Sequence, residues 1–269
     1  PSGDFVGTTD TQTITHKTLS SPLFTGTMDG WIGAGETWTY ASADDPTFTF
    51  TISGDKTSKY SAGMRIKLTQ TSVKYFIITA VSYSSPNTTI TVYGGTDYDL
   101  ANATITNPYY STQKAPQGFP LNPNKWSVEK LDTSRRQQAN PTNTVWYNLG
   151  TTNCQLSIPI GVWNVYWSAQ VGAGGGTSDC ELAVGCTLST TSNSEISKAY
   201  SSVMYMRYAE TGPSGVSLNA MLDKQFTLTV ANKTLYYLNA YVYSSTSQTD
   251  LSFFGNDTTT IIRAVCAYL

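Results

Sequence analysis

The chain has 269 residues, 13% of them charged and 39% hydrophobic, with a formal net charge of −2. The charged share is about half the usual value for soluble domains, while the hydrophobic share is too high for a disordered tail. The densest basic stretch is Arg135–Arg136, so the phosphate-neutralising footprint of a nucleic-acid binder is missing, and no apolar run approaches the ~20 residues that insert across a membrane as a helix.

The rest of the composition is Thr, Ser, Asn, Gly and 18 Tyr. β-branched and aromatic residues fit a pleated surface, and Gly, Asn and Ser suit turns, so the expected class is all-β. The chain opens on Pro1 rather than Met, which points to a piece of a longer protein.

Residues 1–28 are Thr-rich, and Ile14 and Leu19 are almost the only apolar side chains between Gly7 and Pro22. Alone, such a segment cannot offset its ordering entropy; it is disordered or it wraps against other copies of itself. The run Thr11-Gln-Thr-Ile-Thr-His-Lys-Thr-Leu-Ser-Ser-Pro22 resembles an element of bacteriophage tail-fibre and collar proteins, in which His16 replaces a more usual Asn. The resemblance implies a short trimeric β shaft joined to an upstream tail or fibre component.

Residues 29–106 change texture. Phe48, Phe50 and Ile52 alternate with Thr, Met64, Ile66 and Leu68 repeat the pattern, and Tyr75–Val81 is a nearly continuous apolar run. Thr88–Val92 follows a turn at residues 84–87 and ends at Gly94-Gly95. Short strands at about ten-residue spacing predict a small antiparallel β-barrel. Residues 107–144 carry Pro108, Pro116, Pro120, Pro123 and Pro141 and read as a linker. It holds one strand candidate, Trp126–Lys130, and packs through Phe119, Leu121 and Trp126.

Residues 145–269 predict a second β unit with strands at 155–160, 162–171, 180–188, 203–208, 215–220, 225–230, 234–243, 251–254 and 260–269. That number of strands in this length fits a double-sheet jelly-roll sandwich. The segments 160–171, 226–242 and 260–269 resemble the early aromatic strand, penultimate hairpin and closing strand of the tumour-necrosis-factor and complement-type jelly-roll head. That resemblance implies a homotrimer.

The closing strand supports association on its own. Ile262, Ala264, Cys266 and Tyr268 make one face, and Ile261, Arg263, Val265, Ala267 and Leu269 the other. A strand with one face in water alternates apolar with polar, whereas here both faces are apolar apart from Arg263. Strand 234–243 likewise places Tyr237, Tyr241 and Tyr243 opposite a core face. Tyr suits interfaces because it is apolar with a hydrogen-bonding tip. Tyr237, Tyr241, Tyr243, Ile261, Val265 and Leu269 are therefore the expected oligomer interface, the alternative being cover by the chain's own loops.

Catalytic chemistry finds little support. The one histidine, His16, lies in the Thr-rich segment, so Ser-His-Asp, Cys-His and HExxH sites lack a member; it reads as a solvated strand residue rather than a metal ligand on a trimer axis. Asp44–Asp45, Asp97–Asp99 and Asp179–Glu181 read as turn acids rather than a glycosidase pair or a calcium site. Gly172–Ser178 lacks the Gly-Lys-Ser/Thr ending of a phosphate loop. Cys154, Cys180, Cys186 and Cys266 show no zinc spacing; Cys180 and Cys186 either bridge a loop or, like the others, stay buried thiols.

No enzyme activity, catalytic residue, metal or cofactor is expected. Recognition remains. Loops rich in Ser, Thr, Asn and Tyr bond adaptably beside rigid rings, with candidate patches at 189–200, 204–208 and 244–250. Tyr200, Tyr205 and Tyr208 are the candidate receptor-binding residues. The expected role is a virion-located, extracellular tail-fibre protein that attaches the particle to a host cell-surface polysaccharide or protein, without binding nucleic acid or inserting into a membrane. A virion decoration or head-fibre protein and a surface-glycan depolymerase are the alternatives.

Overall fold

The computed structural model describes residues 29–176, 180–208 and 215–269. The expected shaft, with His16, lies outside the described residues, as does Asp179.

The alternating Phe and Thr run folds as expected. Strands β1 (Ile32–Gly33), β2 (Thr39–Asp44), β3 (Thr47–Ser53), β4 (Arg65–Thr69), β5 (Val73–Ser84), β6 (Asn87–Tyr93) and β7 (Thr106–Ser111) form one sheet. All its pairings are antiparallel, in the order β1-β7-β4-β5-β6-β3-β2. Phe48, Phe50 and Ile52 are buried with Ile66, Leu68, Phe76, Ile78, Ile90 and Val92, and Trp38 stacks on Phe50 at 4.6 Å.

The expected barrel does not close: β1 and β2 end the order and do not pair with each other. The cause is local. β2 is exposed along most of its length, its register slips between Tyr40 and Ser42, and it ends at Asp44. A bulged, polar edge resists further pairing.

The Pro-rich segment is not a linker between finished units. β7 belongs to the first sheet, while β8 (Ser127–Asp132) and β9 (Arg135–Ala139) are edge strands of the second unit. Most of its prolines fall between these strands, where no ladder hydrogen bond is lost. Pro108 lies inside β7, where the register with β4 shifts. Phe119 stacks on Trp126 at 5.1 Å and both are buried, but Leu121 is exposed, against expectation.

The remaining strands are β10 (Trp146–Tyr147), β11 (Gln155–Ile158), β12 (Gly161–Gly176), β13 (Cys180–Ser189), β14 (Ser201–Tyr208), β15 (Val216–Val230), β16 (Thr234–Ser244), β17 (Asp250–Phe254) and β18 (Thr260–Cys266). They form an antiparallel, jelly-roll-like sandwich. One sheet runs β10-β16-β13-β14 with β11 on β16, and the other runs β8-β18-β12-β17-β9 with β15 on β12. Trp163, Val165, Trp167, Ala169 and Val171 of β12 meet Leu182, Val184, Cys186 and Leu188 of β13 in the core. Each large side chain so buried stabilises the fold by roughly 1.5–3 kcal/mol.

Two expectations change here, and the open alternative for the cysteines resolves to buried thiols. The two strands expected at 215–220 and 225–230 are one, β15, because Val216, Leu218, Ala220, Leu222, Leu228 and Val230 keep a single phase into the core. The closing strand ends at Cys266 rather than Leu269. All four cysteines are free and buried. Cys180 and Cys186 lie six residues apart on the same strand, some 20 Å at about 3.3 Å per residue, far outside disulfide reach.

The two units share a core. Tyr93 of β6 packs edge-on against Trp163 at 5.0 Å. Arg65, fully buried, donates to the carbonyls of Gly63 (2.7 Å), Lys114 (3.0 Å) and Tyr268 (2.8 Å). Lys233 reaches back to Asp44 at 2.7 Å. The first unit therefore abuts the sandwich end that carries the chain terminus.

Candidate functional site: an aromatic trough on the outer sheet face

β13 is unusual in being buried on both faces. Its inward residues are apolar, whereas its outward ones beyond the exposed Glu181 are Ala183, Gly185, Thr187 and Ser189. Its neighbours present large side chains on the same outer face. One row across the sheet reads Trp146, Tyr241, Gly185, Val203, and the next Tyr243, Ala183, Tyr205. Small residues between large ones leave a trough. At Gly185 the approach is close: a Cβ would meet Val203 Cγ2 at 3.1 Å and Tyr241 Cδ1 at 3.3 Å.

The loop from β13 to β14 closes one end. Asn239, buried on the outer face of β16, donates to the carbonyls of Thr191 (3.0 Å) and Ser194 (2.8 Å) and accepts from the Asn193 N–H at 3.3 Å. This anchor holds Glu195 and Lys198 beside the rings. The Ser201 hydroxyl lies 2.9 Å from the Thr187 hydroxyl and 3.1 Å from the Ser197 carbonyl. It also hydrogen-bonds the Glu195 carboxylate. The resulting cavity of about 330 Å³ is lined by Trp146, Tyr241, Val203, Tyr205, Glu195, Lys198 and Ser201. Trp146 and Tyr241 pack at 4.9 Å. Burial pushes the Tyr241 phenol above its usual range, helped by the nearby Tyr205, Tyr243 and Glu195.

β14 forms the open side. Its eight pairings with β13 run without a bulge, and Val203 (42%), Met204 (45%) and Tyr205 (70%) are exposed. Its one charged residue is Arg207 and it has no proline or lysine. Other long edges are blunted: β2 is polar and bulged, β8 carries Glu129, Lys130 and Asp132, β9 reads Arg-Arg-Gln-Gln-Ala, and β15, paired only with β12, carries Asp223 and Lys224. Soluble proteins normally protect an edge in such ways, so β14 stands apart.

The sequence candidates divide accordingly. Tyr205 lies in the trough. Tyr208 sits at the other end of β14, paired with Cys180. Tyr200 stacks on Phe226 at 4.4 Å, and its carbonyl accepts from Trp167 Nε1 at 3.0 Å, so it braces the fold rather than the trough. Of the expected interface residues, Tyr241 lines the trough, Tyr243 is in the adjoining row, and Tyr237 pairs with Ser189 beyond the pinned loop. Ile261 and Val265 lie on the outside of the opposite sheet, and Leu269 packs against the core cluster. Glu195 and Lys198 fall within the 189–200 patch, whereas Trp146 and Ser201 lie outside every expected patch and interface. Small-residue alternation in β13 was the available signal.

The acidic pair expected at 97–99 is engaged in ion pairs. Asp97 pairs with Lys125, and Asp99 with Lys74 at 2.8 Å. Among the described residues no cluster of His, Cys, Asp and Glu could hold a metal ion, and no helix is long and apolar enough to cross a membrane. In the 244–250 patch, Asn143 and Ser244 bond reciprocally at 2.5 and 2.7 Å beside a polar depression of about 620 Å³.

The fold and site thus define an all-β protein with an aromatic trough on a sandwich face. No protein-family model and no curated protein matches the chain. Among solved structures it is similar to a chain of the infectious bursal disease virus Gx strain, at 12% identity and a TM-score of 0.30, over 87% of this chain and 58% of that one. A chain of the T13 IBDV viral particle shows 10% identity and a TM-score of 0.27, over 86% and 60%. The chain thus spans about three fifths of these neighbours' length, and superpositions this loose carry no functional argument.

Proposed function

We propose that this chain is the attachment end of a bacteriophage tail fibre, a receptor-binding protein that holds the virion to a host cell-surface glycan or protein. The observation that carries this reading is the trough: three aromatic side chains, a polar rim and an unblunted apolar edge sit together on one exposed face. An exposed Tyr and Trp cluster of this kind is the composition of a binding surface rather than of an inert coat. The Thr-rich opening run, with its likeness to fibre shafts, supplies the fibre context.

In this reading the chain self-associates as a trimer, the copy number being the one its resemblance implies. The outer face of β8–β18–β12 is available for that contact, with Leu131 beside Ile261 and with Val265 and Tyr166 on the same face. Three linked sites would convert weak single contacts into firm adhesion.

Adsorption competition tests the proposal. Purified protein is added to a panel of bacterial strains together with phages that infect them. Blocked adsorption on a strain that the protein coats supports attachment. Failure to coat or compete on every strain of the panel leaves a decoration role and contradicts the reading.

A further inference from the structure

We infer that the trough binds a neutral saccharide unit, which lies against Tyr205, Tyr241 and Trp146 and hydrogen-bonds Glu195, Ser201 and Lys198. This deepens the attachment reading and rests on it. Sugars present apolar C–H faces and hydroxyls that both donate and accept, and the trough offers the complement of each. Its floor is aromatic and lacks side-chain bulk at Gly185 and Ala183. Its rim combines a carboxylate, a hydroxyl and an ammonium group on one side of the rings.

Charge narrows the class. Glu195 and Lys198 bring opposite formal charges, so the lining is neutral as a set. Among the described residues Lys198 enters no ion pair, and Glu195 is engaged through the Ser201 hydroxyl. An added peptide strand would lie along the β14 edge, reaching Tyr205 but leaving Trp146 three strands away uncovered. An apolar partner would bury the Lys198 ammonium without an ion pair and leave Glu195 only the Ser201 hydroxyl, which is costly. A pyranose ring avoids both penalties. The cavity volume of about 330 Å³ falls at the small end of ligand sites, fitting a single unit or two within a longer glycan.

Two arms test this with the full chain. In the first, the protein is applied to immobilised neutral and acidic bacterial polysaccharides. Binding to at least one neutral polysaccharide is expected. It should weaken about tenfold or more in Tyr205→Ala, return in Tyr205→Trp, and be unaffected by Tyr83→Ala, an exposed position on β5 of the first unit. No neutral polysaccharide bound, or binding indifferent to Tyr205→Ala, overturns the inference.

In the second arm, cells that the protein coats are treated with periodate, which cleaves vicinal diols, or with protease. Loss after periodate alone supports the saccharide. Loss after protease alone overturns it while leaving attachment intact. Coating of no strain, with a neutral polysaccharide still bound in the first arm, contradicts the attachment reading and keeps the saccharide site.

Discussion

Gly185 and Tyr241 lie directly opposite each other on β13 and β16, and the missing side chain of one makes room for the ring of the other. A Cβ at Gly185 would sit 3.3 Å from Tyr241 Cδ1 and 3.1 Å from Val203 Cγ2. The trough therefore depends on one position having no side chain.

Gly185→Val should fill the trough floor. Overpacking a tight site costs about 1–3 kcal/mol, and the displaced Tyr241 ring would close the cavity. The expected outcome is a lowered urea midpoint together with lost adhesion. Tyr205→Ala removes a 70% exposed side chain and should change stability by less than ~0.5 kcal/mol while also abolishing adhesion. Comparing the two by denaturation and cell binding separates site loss from unfolding.

Arg65 should be the costliest single position at the junction of the units. Its guanidinium is buried and donates to three carbonyls, including that of Tyr268 at 2.8 Å. Arg65→Met keeps the apolar stem but strands those acceptors. Hydrogen bonds to charged groups contribute about 1.5–3 kcal/mol each, so a loss of roughly 3 kcal/mol or more is expected by urea denaturation. Near-wild-type stability would show that the junction does not rely on this residue.

The buried thiols make the fold sensitive to alkali. Burial pushes Cys154 up to about 12, with the Asp132 charge adding to it, and Cys266 up to about 11. Cys186 is also raised by burial. An unfolded thiol ionises near 8.5, so above that pH the unfolded chain releases protons that the native one keeps. The stabilisation is complete below about 8.5 and is lost progressively as pH rises toward 11–12, roughly 1–2 kcal/mol per thiol by pH 10. The urea midpoint should fall between pH 8 and pH 10. At pH 8 a thiol reagent should label none of the four cysteines in the native protein and all of them in urea.

Self-association is expected to use the outer face of β8, β12 and β18. Leu131 is 50% exposed there and sits opposite Ile261. Ile261→Asp should convert a sedimenting trimer to monomer with unchanged far-ultraviolet circular dichroism. A wild-type monomer at micromolar concentration would contradict the assembly.

Much of the fold could be read from period-two patterns. Phe48, Phe50 and Ile52 alternate into the core, as do Ile262, Ala264 and Cys266. The single strand β15 is less legible, because the charged pair Asp223–Lys224 interrupts the pattern although its even-numbered residues never change phase. The trough was only half legible. Its tyrosines stand out in sequence, but the rows that join residues 146, 241, 185 and 203 depend on long-range register, which a single chain does not display. Tyr205 and Tyr241 therefore read as parts of separate surfaces in the sequence, and only the register across β13 joins them. The half-burial of Tyr237 and Ile261 within one chain also shifts the most exposed apolar surface from the closing strand to β14.

Hydrogen–deuterium exchange on the full chain, with and without envelope vesicles from a strain it coats, tests the attachment face most directly. The account predicts new protection concentrated in residues 195–208 and around Trp146 and Tyr241, with β8 and β18 unchanged by the vesicles. Protection confined to β8 and β18, or to the first unit, would contradict it.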